Sequence, residues 1–152
     1  MNIKNLLIVL AGVMGLIACQ QRTSRTAGEK PVDPIRDSTN FTTIQWIDSV
    51  EKDLGTVKEG PEVEVAYRFK NTGDHALIIS DVRASCGCTV PEKPQQPFEP
   101  GAEGTIHAKF TTKGHVGGNL KTITVTANTK GNVYHELTFH INVEEDKSTN
   151  KN

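Results

Sequence analysis

Residues 43–143 predict an all-β fold, a two-sheet antiparallel sandwich of about seven strands, and three observations carry that reading. Apolar and polar side chains alternate with period two through one segment after another, the pattern of strands with one face buried. Turn-forming residues separate these segments at short intervals. No segment of this region shows helical periodicity.

The elements follow in order. Strands are expected near 43–47 and 51–57, then at 62–70, where Val63, Val65, Tyr67 and Phe69 alternate with Glu62, Glu64, Ala66, Arg68 and Lys70. An apolar run over 76–82 gives a fourth. Ile106, Ala108 and Phe110 alternate with Thr105, His107, Lys109 and Thr111, and Ile123, Val125 and Ala127 with Thr122, Thr124 and Thr126. Leu137, Phe139, Ile141 and Val143 alternate with Thr138, His140 and Asn142 in the last. Glu59-Gly60-Pro61, Asn71-Thr72-Gly73-Asp74, Pro100-Gly101, Gly117-Gly118-Asn119 and Lys130-Gly131-Asn132 supply the turns. Seven short strands in about a hundred residues point to an immunoglobulin-like sandwich, with a small barrel as the alternative. Cys86 and Cys88 stand too close in sequence for the cross-sheet disulfide of antibody domains, so Trp46 is read as a core or sheet-edge residue.

The flanks differ in composition. Lys4 followed by an apolar stretch from Leu6 to Ala18 is the anatomy of a secretory signal peptide, too short for the roughly 20 residues a membrane-crossing helix needs. Leu16-Ile17-Ala18-Cys19 resembles a bacterial lipobox, at which a thiol is acylated and the peptide is cut before it. Residues 1–18 are therefore expected to be removed, leaving Cys19 as a lipidated N-terminus in the cell envelope. Polar residues follow Cys19 at once, which disfavours a buried apolar helix with an incidental cysteine. Gln20 and Gln21 bring no acidic cluster, so the periplasmic face of the outer membrane is expected rather than the cell surface.

Residues 19–42 read as the lipidated end and a flexible tether, and a relaxed chain of that length would hold the domain about 25 Å from the membrane. Residues 144–152 are polar throughout and are expected to be disordered. Asp37-Ser38-Thr39 and Asp48-Ser49-Val50 resemble a bacterial O-glycosylation signal, a match short enough to arise by chance. Residues 1–18 hold one Lys and no acidic residue, so 16 basic and 18 acidic side chains remain after cleavage, a net of −2. Nucleic acid is excluded as a partner on that balance, since its recognition needs clustered positive charge.

One segment invites chemistry. Ser85-Cys86-Gly87-Cys88-Thr89 falls in a loop after an apolar strand. The array of Phe69-Lys70-Asn71-Thr72-Gly73-Asp74, Leu77-Ile78-Ile79, this pentapeptide, Pro100-Gly101 and the strand from Lys121 to Asn128 resembles a family of bacterial lipoproteins known as domain of unknown function 1573. The resemblance runs from about Trp46 to Val143. It implies an immunoglobulin-like domain similar to those of periplasmic chaperones and of flagellar and centrosomal scaffold proteins, and it implies no activity.

The two cysteines are open to several readings. Cα atoms at i and i+2 in an extended chain lie near the outer limit of the 4.4 to 6.8 Å that a disulfide accepts, and Gly87 can bend the chain to close it. So small a ring removes little entropy, and a strained bond is easily reduced. A structural disulfide, a pair of quiet thiols, a redox pair and a soft-metal site all remain. Cu(I) would suit two thiolates, yet Met1 and Met14 both leave with the signal, and zinc would need two further ligands and a wider Cys spacing. His75, His107, His115, His135 and His140 are read as solvated surface residues. No metal or other cofactor is assigned.

Pro91, Pro94, Pro97 and Pro100 recur every third residue, which reads as a stiff polyproline II connector shielding a sheet edge, or as a ligand for an aromatic groove. No nucleophile elbow, His-Glu-x-x-His or phosphate-binding glycine loop is present, and the carboxylates fall on polar faces. The expectation is a non-enzymatic, membrane-anchored binding or scaffolding module whose partners are envelope proteins, docked by strand addition or on the Cys-Gly-Cys loop. The alternative is a thiol-redox or metal-handling lipoprotein centred on Cys86 and Cys88.

Overall fold

Alternation places the apolar side chains of each strand on one face, and two such faces bury each other in a computed structural model that describes Ile35 and residues 37–147. After a single 3₁₀ turn at Ser38–Asn40 come eight strands: β1 (Ile44–Trp46), β2 (Glu51–Lys58), β3 (Glu62–Asn71), β4 (Ile79–Ala84), β5 (Thr89–Glu92), β6 (Glu103–Thr111), β7 (Gly117–Ala127) and β8 (Tyr134–Glu144). One sheet runs β1-β3-β6-β5 and the other β2-β8-β7-β4. The fold is an immunoglobulin-like β-sandwich, as the sequence predicts.

Its core is the set of alternating residues. Val65, Tyr67 and Phe69 of β3 with Ile106, Ala108 and Phe110 of β6 face Ile123 and Val125 of β7 and Leu137, Phe139, Ile141 and Val143 of β8, all nearly or fully buried. Phe110 and Phe139 meet edge to face across the sheets with centroids 5.8 Å apart, an arrangement aromatic rings favour. The Tyr67 hydroxyl crosses the same gap and donates to the Thr138 carbonyl at 2.6 Å. Burial raises its pKa to about 12, so the bond persists through the physiological range.

Several expectations are corrected. The strand count is eight, because Thr89–Glu92 pairs with β6 although Pro91 lies within it. The Cys88 carbonyl accepts from the Thr111 amide, so alternate residues 88, 90 and 92 face β6 and the missing donor of Pro91 falls on the free side, where a proline is tolerated. The proline-spaced segment is thus part strand rather than all connector. One pair is not antiparallel: β2 lies parallel to β8. The fourth strand starts at Ile79 instead of residue 76, with Leu77 forming an isolated bridge to Phe98.

The tether is shorter than expected at its inner end. Thr42 is buried, its amide donates to the Asn128 carbonyl and its carbonyl accepts from Lys130. Residues 1–34, with the cleavage site, Cys19 and most of the tether, lie outside the described residues, as do residues 148–152 of the tail. Glu144 belongs to β8 and pairs with Lys58 at 2.7 Å rather than opening a disordered tail. His135 is half-buried against Trp46, and its Nε2 lies 2.8 Å from the Thr129 hydroxyl. Burial lowers its pKa. His135 is therefore not a solvated surface residue, whereas His115 packs edge to face on Phe110 and stays partly exposed.

Candidate functional site

β4 is an edge of one sheet and β5 an edge of the other, and residues 85–88 carry the chain between them. Both ends of this turn are pinned. Ser85 donates its amide to the Thr122 carbonyl at 2.9 Å and accepts the Thr122 amide on Oγ at 3.2 Å, while the Cys88 carbonyl holds the Thr111 amide. Cys86 and Cys88 form a disulfide with Cα atoms 5.3 Å apart, within the range such a bond accepts. Cys88 leans on the core and the Sγ of Cys86 sits 3.7 Å from the hydroxyl of buried Thr89. Closing three residues removes only about 1.6 kcal/mol of unfolded-chain entropy, so the bond fixes the local strand switch more than the whole fold.

Gly87 does not play the role expected of it. It is not among the glycines with positive φ, and a Cβ built on it meets nothing within 4 Å. The turn closes through the placement of its flanking strands, and the tight bend needs no special residue. No group of three or more His, Cys, Asp or Glu side chains is placed to hold a metal ion among the described residues.

The free edges offer a second site. Three of the four are blunted by devices that keep strands from pairing with other chains. β2 is broken by a bulge at Gly55, whose φ of +70° only glycine adopts readily and whose amide is capped by Asp53. β4 has a register shift next to Ser80, whose carbonyl is capped by Lys93. β5 is four residues long and holds Pro91. The fourth edge is different. β1 covers only residues 69–71 of β3, while β3 pairs with β6 in unbroken register from Glu62 to Lys70.

The outward groups of β3 can be followed one by one. The Arg68 amide donates to Asp48 Oδ2 at 3.0 Å and its carbonyl accepts from Ile47. The Ala66 carbonyl accepts from Lys52 Nζ at 2.6 Å. Since alternate residues aim their backbone at the same side, Glu62 and Glu64 present theirs to that edge too, and no strand lies beside them among the described residues. Lys52 also contacts Asp48 at 3.3 Å and lies 4.9 Å from the Tyr67 ring centroid. Hydrogen bonds from Arg68, reinforced by Lys52, hold the Asp48 carboxyl far below the usual carboxylate range. Sequence reasoning missed this guard, though Lys52 shares the inward phase of β2 with Leu54, an unusual place for a charge.

Residues 44–143 match the family described as "Protein of unknown function (DUF1573)". The chain belongs to the DUF1573 family. A DUF1573 chain of this sequence also matches the crystal structure of a protein of unknown function from Porphyromonas gingivalis W83, with a TM-score of 0.59 and 12% identity over 73% of this chain and 51% of that one. It thus spans about half the length of that protein, and the likeness is one of fold. The human CEP192 ASH/PapD-like domain 7 aligns at TM-score 0.48 and 12% identity, over 77% of this chain and 92% of that one. The periplasmic chaperone SfaE aligns at 0.45 and 12%, over 68% and 58%. No curated protein matches this DUF1573 chain.

Proposed function

We propose that the chain is a non-enzymatic, lipid-anchored binding module of the cell envelope that captures extended segments of other envelope proteins by strand addition. In this reading the signal peptide ends at Ala18, Cys19 carries the lipid on the periplasmic face of the outer membrane, and residues 20–36 act as the tether. One observation supports the binding mode above others: the first half of β3 is an edge in unbroken register on β6 with no strand beside it among the described residues, in a sandwich whose other edges are blunted. The apolar run ending in Leu16-Ile17-Ala18-Cys19 supports the anchor.

Each half has its own test. Radiolabelled palmitate enters the chain in cells, and Cys19→Ser abolishes the label; label that survives the substitution refutes the anchor. For the edge, Glu64→Pro removes a backbone donor from the free side while leaving the β6 ladder intact, because Val63 and Val65 make that ladder. The variant keeps its circular dichroism spectrum and loses photo-cross-links to envelope proteins formed from a probe at position 62. Cross-links that persist in Glu64→Pro count against strand addition.

A further inference from the structure

We infer that the segment this edge takes alternates basic and apolar side chains, an inference that rests on the strand-addition reading. The outer face of the β1-β3-β6-β5 sheet is striped by charge. Glu62 and Glu64 stand on β3, His107 and Lys109 on β6, and Glu92 on β5, with Glu64 opposite Lys109 and Glu92 opposite His107 in register. His107 Nδ1 lies 2.8 Å from Glu64 Oε1. Toward the covered end of β3 the signs reverse, with Lys70 of β3 pairing with Glu103 of β6 at 3.6 Å, so the acidic stripe belongs to the uncovered half of the strand. Opposite charges on neighbouring strands attract and like charges repel, so the stripe that continues this order beyond β3 is basic.

The cations near that edge are already engaged. Lys58 pairs with Glu144, Arg68 with Asp48, and Lys52 with Asp48 and the Ala66 carbonyl. Glu62 is exposed and has no ion pair among the described residues, and the Glu64 side chain is 58% exposed despite its contact with His107. On the other face, Val63 is partly buried and Val65 is buried, with Leu54 and Val57 of β2 also packed on the core. An added strand continues the pleat, so its residues beside Glu62 and Glu64 face the acidic stripe and those beside Val63 and Val65 face the apolar gap. A second copy of this chain fits poorly, because antiparallel pairing of two such edges would set the glutamates of one against those of the other.

The probes are two peptides, acetyl-Lys-Val-Lys-Val-Lys-amide and acetyl-Glu-Val-Glu-Val-Glu-amide, added to the isotopically labelled full chain in detergent micelles and followed by amide hydrogen exchange. At saturation the basic peptide slows exchange at Glu62, Glu64 and Ala66 at least tenfold, and it binds at least tenfold more tightly than the acidic one. The double substitution Glu62→Lys/Glu64→Lys reverses that preference, and added salt weakens both interactions. If both peptides protect the same amides equally well, the charge inference is overturned and strand addition stands. If neither protects them, or if protection falls instead on residues 122–126, strand addition at this edge is overturned along with it.

Discussion

Replacing Asn71 by Asp changes one atom in a fully buried side chain and should make stability fall steeply as pH rises. Asn71 Oδ1 accepts from the Thr42 hydroxyl at 2.8 Å and the Gly73 amide at 3.1 Å, and Nδ2 donates to the carbonyls of His75 and Phe98, both at 2.8 Å. An aspartate there has lost both donors, and an ionised carboxylate would face two carbonyl oxygens at close range. The folded state therefore retains a proton, with which one of the two bonds can be remade. The other carbonyl stays unsatisfied, costing about 1–3 kcal/mol at any pH. The folded pKa is raised above the unfolded value of about 3.9, so stability is retained below that pH and lost as pH rises through the folded pKa, by about 1.4 kcal/mol per unit. At pH 7 the proton costs up to about 4 kcal/mol more. The total approaches the whole stability of an ordinary domain, about 5–15 kcal/mol. Urea melts of wild type, Asn71→Asp and Asn71→Ala at pH 4 and pH 7 read this out, each variant taken relative to wild type at the same pH. The Ala variant loses about 3–5 kcal/mol equally at both. An Asp variant with the same loss at both pH values, or a loss under 1 kcal/mol, refutes the claim that Asn71 is a buried four-way clasp.

The other predictions are smaller in scope. Cys86→Ser with Cys88→Ser lowers unfolding free energy by about 1–2 kcal/mol and leaves the fold intact by circular dichroism; a loss above about 4 kcal/mol would mean the bridge holds far more than its own turn. Gly87→Ala changes stability by less than about 0.5 kcal/mol and still forms the disulfide, whereas Gly104→Ala, whose new Cβ would collide with the rings of Phe98 and Phe69, costs about 1–3 kcal/mol in thermal melts. Burial lowers the His135 pKa, so the unfolded chain takes up a proton first and stability falls as pH drops below about 6.5; His135→Gln removes that step, and an unchanged pH profile would show that another group titrates there.

The inner faces of β3, β6, β7 and β8 were legible because burial on one side writes itself into alternate residues, and every inward position read from the sequence, from Val65 to Val143, lies in or against the core. What depends on contacts between distant segments was not legible. Asn71 reads as a turn residue beside Gly73, and only Thr42 and Phe98, 29 and 27 residues away, turn it into a buried clasp. The parallel pairing of β2 with β8 joins strands more than eighty residues apart, and no local pattern names a strand's partner. β5 was hidden by Pro91, because a proline inside a strand is informative only once the free side of that strand is known. The Ser85 to Thr89 segment was found as a motif, but its position as the bridge between two sheet edges came from the register of β5 on β6. Gly87 shows the opposite error, since a glycine invites a conformational reason that this backbone does not need.

The open edge of β3 follows from how the chain changes sheets. β1 is only three residues long because the chain turns away after Trp46, through Asp48, to start β2 in the opposite sheet. The far half of β3 is clasped by Asn71 and the near half is left bare. A bare edge endangers solubility, and the structure limits the exposure by closing the Ala66 carbonyl with Lys52 and the Arg68 amide with Asp48, so that among the described residues the backbone groups of two glutamates and the Ala66 amide are what remain. Those groups are fixed before any partner arrives, since Val65 and Tyr67 are locked in the core and β6 holds the strand's other side. Little order then remains to be imposed on binding by this side of the interface. Restricting the edge by charge, instead of covering it with chain, leaves a short and rigid template that repels its own copies. In the strand-addition reading, such a template is what the proposed binding surface requires.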